Sequence, residues 1–95
     1  MNLRKRAQGQ ECEARLPGIC NGNQETTVLA HLRRCGIAGV GQKPVDLCGI
    51  PMCSACHDET DRRTRRIPAE ELDGYLLDAL CRTLDRYAKE GVVRW

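Results

Sequence analysis

The chain has 95 residues, seven of them cysteine and none phenylalanine, with an apolar fraction of 41%. That supports one domain with a thin core in need of a staple. No apolar run approaches the ~18 residues of a membrane span. The net charge of +2 says little about partners by itself.

Charge distribution says more. Residues 1–66 hold 11 Lys+Arg against 7 Asp+Glu, whereas residues 67–95 hold 4 against 6. The basic excess gathers in Arg4-Lys5-Arg6, in Arg33-Arg34, and in Arg62-Arg63 with Arg65-Arg66. Clustered positive charge beside neutral or acidic surface is the footprint of a phosphate-bearing partner, and also of plain solvated surface. Behind the charges of Met1-Asn2-Leu3-Arg4-Lys5-Arg6 no apolar stretch follows, so no signal peptide is expected. The expected location is cytoplasmic, where clustered cysteines bind metal more often than they pair.

In chain order, a basic lead comes first. A knuckle over 12–20 follows, bounded by Cys12 and Cys20 and turned by Pro17-Gly18. After the turn Asn21-Gly22-Asn23, the β-branched run Thr26-Thr27-Val28-Leu29-Ala30-His31-Leu32 predicts a strand, within a hairpin over about 26–48. The glycines from Gly36 to Gly41 lack the spacing of a phosphate-binding loop and read as a surface loop. A ligand-bearing helix is predicted over about 53–64 and a C-terminal helix over about 69–90. Pro68 suits the start of the latter, the acids Glu70, Glu71 and Asp73 its first turns, and Gly91 its stop. Leu72, Leu76, Ala79, Leu80, Thr83, Leu84, Tyr87 and Ala88 recur at three- and four-residue steps, an amphipathic stripe that serves core or a dimer face.

Cys53-Ser54-Ala55-Cys56 carries the strongest chemical signal. Two thiolates three residues apart at a helix start can share one tetrahedral Zn²⁺, favoured by the helix dipole. Cys12 and Cys20, brought back by the Pro-Gly turn, supply the other two ligands. Knuckle, hairpin and ligand helix make a treble-clef plan, so the expected fold is a small α+β domain, zinc-stapled, with an added amphipathic helix. A redox Cys-x-x-Cys lacks its strand–helix–strand setting here. Cys35, Cys48 and Cys81 are assigned as spare thiols, although Cys48, five residues before Cys53, is an alternative ligand.

Two histidines complete the constellation. His57 follows Cys56 directly, and Asp61 lies four residues on, one turn along the same helical face. That pair can grip a second divalent ion, or be an exposed surface pair. His31 ends the predicted strand. If the hairpin packs on the helix, His31 faces His57 across a groove and its neutral imidazole can deprotonate water.

Cys53-x-x-Cys56-His57, preceded by a strand histidine and a cysteine knuckle, resembles the HNH and endonuclease VII type of nuclease, a ββα-metal finger superfamily. More closely, residues 1–10, Thr26 to His31 and Cys53 to Thr64 are similar to the YbcO-type nucleases of lambdoid phages and prophages. The superfamily resemblance implies His31 as general base, His57 as ligand of a Mg²⁺-like ion, and Asp61 as a further ligand. It departs from the superfamily pattern at Ala30, where an Asp or His ligand is common, and in lacking an Asn between His31 and His57.

The expected function is metal-dependent hydrolysis of DNA in phage DNA processing or recombination. Arg62, Arg63, Arg65 and Arg66 would hold backbone phosphates, with Arg33 and Arg34 as secondary contacts. A homodimer through the last helix is compatible with this. The alternatives are a non-catalytic zinc module binding nucleic acid or a phage protein, and a zinc-stapled dimerisation domain.

Overall fold

The computed structural model describes residues 2–33 and 44–93, so Arg34, Cys35 and most of the glycine loop lie outside the described residues. Within them the fold is α+β. Helix α1 (Leu3–Ala7) and strand β1 (Val28–His31) precede strand β2 (Gly49–Met52), helix α2 (Ser54–Thr60) and helix α3 (Ala69–Lys89). The strands pair antiparallel in one two-stranded sheet, with Val28 opposite Met52 and His31 opposite Gly49. No helix among the described residues is long and apolar enough to cross a membrane.

Four elements differ from the sequence reading, each for a local reason. Helix α1 replaces part of the basic lead. Asn2 caps it by accepting from the Lys5 N–H at 3.1 Å, and Leu3 and Ala7, one turn apart, bury against Leu29 and Tyr87. Strand β1 starts at Val28, because Asn23 nucleates a 3-10 helix over Gln24–Thr26 by accepting from the Glu25 N–H at 3.0 Å. The second strand falls at Gly49–Met52, beyond the expected hairpin limit, with a 3-10 helix over Asp46–Cys48 leading into it. Helix α2 stops at Thr60 instead of running to about 64. Arg62 turns into the left-handed region at φ 63°, and the chain ahead is captured by Glu59.

Both faces of the hairpin are covered. On one face Ala30, Ile50 and Met52 join Leu16, Ile67, Leu72, Leu76 and Ala79 in the main core, together with Cys12, Cys53 and Cys56. On the other, Leu29 packs with Leu3, Ala7 and Tyr87. Helix α3 contributes Leu72, Leu76, Ala79, Thr83 and Tyr87 to the interior, spaced three or four residues apart. Leu84, expected on that stripe, is 38% exposed, because it lies one residue out of phase with Thr83. The helix ends in a Schellman motif. The Val92 N–H bonds the Tyr87 carbonyl at 2.8 Å and Gly91, at φ 73°, bonds Ala88 at 3.2 Å.

Candidate metal centre and basic cleft

The knuckle forms because Leu16 presents its carbonyl to the N–H groups of Ile19 and Cys20, at 3.1 and 3.0 Å, across Gly18 at φ 69°. Glu13 anchors it. Its N–H reaches the Pro51 carbonyl at 2.8 Å, and its buried carboxylate pairs with Arg86 of α3 at 3.0 Å. Cys12 and Cys20 are thereby carried to the start of α2. The sulfurs of Cys12, Cys20, Cys53 and Cys56 all lie within 4.8 Å of one another, with Cys20 and Cys53 at 3.9 Å.

A tetrahedral ZnS₄ centre with bonds of about 2.3 Å has sulfur–sulfur edges of about 3.8 Å, so the donor set fits that ion. All four are free thiols. Backbone N–H groups aim at them in matching fashion, from Arg15 to Cys12 at 3.4 Å and from Cys56 to Cys53 at 3.5 Å. A hydrogen bond from Cys56 holds the Cys12 thiol down at about 4. The same contact, reinforced by burial, pushes Cys56 up, and burial pushes Cys20 up. A divalent cation displaces thiol protons on binding, so metal affinity at such a cluster rises with pH. Cys48 is half-buried and stands outside the cluster, while Cys81 is exposed on α3.

Beside this centre opens a cleft of about 530 Å³ between the end of β1, the end of α2 and the start of α3. It is lined by His31, Arg33, Asp61, Arg62 and Arg63 together with Leu72, Asp73 and Leu76. His31 is 7% exposed, and its Nε2 lies 2.8 Å from Asp46 Oδ1. Arg4 of α1 donates from Nε to that same oxygen at 3.1 Å. These contacts hold the Asp46 carboxyl below the usual range, the His31 hydrogen bond first and Arg4 after it. His57 does not line the cleft. Its Nε2 is 3.2 Å from Asp61 Oδ2, an oxygen that Arg63 also approaches at 3.8 Å, and it is Asp61 that shares the cleft with His31. Among the described residues no third ligand joins that pair, and Ala30 is fully buried in the core.

The arginine loop after α2 is held from within. Glu59, fully buried, accepts from the Thr64 hydroxyl at 2.5 Å and from the backbone N–H groups of Arg66 and Ile67 at 2.8 Å each. Those bonds, the Thr64 hydroxyl foremost, keep its carboxyl below the usual range. Arg62 spans the loop to the Ile67 carbonyl at 3.0 Å, while the side chains of Arg63, Arg65 and Arg66 stay exposed. Neither Glu59 nor Asp46 is singled out by the sequence reading. Glu59 had a signal, since it sits three residues after buried Cys56 on the inward face of α2. Asp46 had none nearby, because its partner is 15 residues away.

Fold and site together define a small α+β domain with a four-cysteine, metal-type cluster beside a basic cleft carrying a histidine and an aspartate. A family profile described as "Putative nuclease YbcO" matches residues 1–92. "Putative nuclease YbcO" of Escherichia coli (strain K12) is 50% identical over 93 residues, covering 98% of this chain and 97% of that protein. "Putative nuclease ybcO" of Enterobacteria phage 82 matches with the same identity and coverage. A solved structure, of "a putative bacteriophage protein from Escherichia coli str. K-12 substr. MG1655", superposes with a TM-score of 0.79 at 47% identity, over 95% of this chain and all of that one. The chain belongs to the YbcO family.

Proposed function

We propose that this chain is a metal-dependent endonuclease of the ββα-metal, treble-clef type that hydrolyses DNA phosphodiester bonds in phage DNA processing. The observation that carries the reading is the shared cleft. His31 and Asp61 line one basic surface with Arg33, Arg62 and Arg63, in a member of a family described as a nuclease. Cys12, Cys20, Cys53 and Cys56 would hold a structural Zn²⁺ that locks knuckle to helix. His57 and Asp61 would hold a Mg²⁺-like ion, which supplies Lewis-acid polarisation of a phosphate oxygen when bound; Mg²⁺ commonly takes one or two protein ligands and keeps its waters.

The chain's own groups do the rest. His31 takes a proton from water, and the resulting hydroxide oxygen bonds to phosphorus. The P–O bond to the leaving strand breaks with its electron pair on the leaving oxygen, which is then protonated from solvent. Arg62, Arg63 and Arg33 position backbone phosphates in the cleft, and Arg65 and Arg66 extend that surface outside it. Such contacts bind any sequence alike, so cutting is structure-selective or nonspecific and is not directed by base order.

A non-catalytic zinc module that binds nucleic acid is the competing reading. It draws on the His57–Asp61 pair, whose carboxylate Arg63 also approaches, and on buried Ala30, which leaves β1 without a metal ligand there. Plasmid nicking with added Mg²⁺ or Mn²⁺ separates the two. Wild type is expected to nick, and His31→Ala to lose about 10²- to 10⁴-fold in rate. His31→Ala cutting at the wild-type rate refutes the base assignment. A zinc-loaded wild type that binds DNA and cuts with neither ion establishes the module instead.

A further inference from the structure

We propose that Asp46 is the positioning residue of this site, fixing the His31 ring so that Nδ1 faces the reacting water and Nε2 carries the hydrogen. Backbone geometry brings the two side chains together. His31 pairs with Gly49 across the sheet, the Leu32 N–H bonds the Cys48 carbonyl at 2.9 Å, and Asp46 opens the 3-10 helix that leads into Gly49. The result is the 2.8 Å contact between His31 Nε2 and Asp46 Oδ1.

An ionised carboxylate accepts hydrogen bonds and donates none. Arg4 Nε, 3.1 Å from the same oxygen, favours that ionised form. The hydrogen between ring and carboxylate therefore sits on Nε2. A neutral imidazole has one ring hydrogen, so Nδ1 keeps the lone pair and is the atom that can take a proton. Once it has done so, the imidazolium, on a side chain only 6% exposed, finds a carboxylate already in place on a side chain 34% exposed. Arg4 tempers the pair by drawing on the same oxygen. It also makes α1, 42 residues away in sequence from Asp46, part of the support of the site.

The kinetic consequence rests on the reading of His31 as general base; the tautomer does not. Its test therefore has two readouts. The first is the long-range ¹H–¹⁵N spectrum of the imidazoles in the full-length, zinc-loaded protein without DNA. The chain has two histidines, so His31→Gln assigns both. His31 is expected with a protonated, hydrogen-bonded Nε2 and a bare Nδ1, and Asp46→Ala is expected to lose the hydrogen-bonded Nε2–H signal. A proton on Nδ1 of wild-type His31 overturns the proposal, as does an Nε2–H signal that Asp46→Ala leaves in place.

The second readout is nicking by Asp46→Asn, which keeps the shape and removes the charge. The expected result is a kcat lower by about 10- to 100-fold with KM within about twofold of wild type, and partial recovery in Asp46→Glu. A loss confined to KM, or none, overturns the positioning role. A wild type that cuts nothing sinks the nuclease reading, and the proposal then stands or falls on the spectrum.

Discussion

Gly49→Ala probes the junction that joins the sheet to the site, and its cost can be worked from contacts. The backbone there is φ −109°, ψ 153°, a conformation open to any residue, so no backbone strain enters. A Cβ built on it would stand 2.7 Å from Leu29 Cγ, 2.9 Å from Leu29 Cδ1 and 3.1 Å from the Asp46 carbonyl oxygen. Carbon atoms in good contact stand about 3.5–4.0 Å apart, so either Leu29 or the 3-10 helix must move. Leu29 cannot swing away freely, since its branch point is packed among Leu3, Ala7 and Tyr87. Overpacking of that kind costs about 1–3 kcal/mol. In a domain of this size ~1 kcal/mol lowers Tm by about 4–8 °C.

Gly74→Ala is the control of opposite sign. That position is exposed within α3, nothing lies within 4 Å of its added Cβ, and Ala gains about 0.5–1 kcal/mol over Gly in a helix. Guanidinium denaturation of the zinc-loaded protein measures both. Gly49→Ala within about 0.5 kcal/mol of wild type refutes the packing argument, because surface-like indifference is what an unfilled site would show.

Two further outcomes test the staple and the loop. Purified protein is expected to carry one zinc per chain, and a strong chelator or Cys53→Ser to unfold it. Structural zinc contributes about 10–16 kcal/mol in small domains, against a net stability of about 5–15 kcal/mol; unchanged thermal unfolding after chelation rules the staple out. Acid should loosen the arginine loop. Glu59 and Asp46 are held below their ordinary values of 4.5 and 3.8, so the stability they contribute is present above those values and fades as pH falls through the lower folded ones. Urea midpoints between pH 5 and 2 are expected to drop less steeply in Glu59→Gln than in wild type, and identical slopes would remove Glu59 from the account.

What the sequence determined by itself is what spacing along one element encodes. Cys-x-x-Cys at a helix start, two cysteines around a Pro-Gly turn, a histidine and an aspartate four apart, and the stripe of α3 all follow from local periodicity. The fold brings the four cysteines within 4.8 Å of one another, as paired spacings require of a shared ion. Helix α1 went unread: the Asn2 cap and the Leu3–Ala7 step mark it, but five residues are too few for periodicity to stand out.

Tertiary structure alone decided which groups meet across the chain. His31 looks toward His57 in the sequence, yet packing gives it Asp46 as partner and places it in one cleft with Asp61. Arg4 reaches Asp46, and Arg6 reaches Glu90, 84 residues away. Those choices depend on sheet register and on how α1 and α3 close over the hairpin, neither of which leaves a local mark. The seven cysteines of a short chain announced a staple; only packing shows that a buried histidine, its aspartate and a loop of arginines are held beside it.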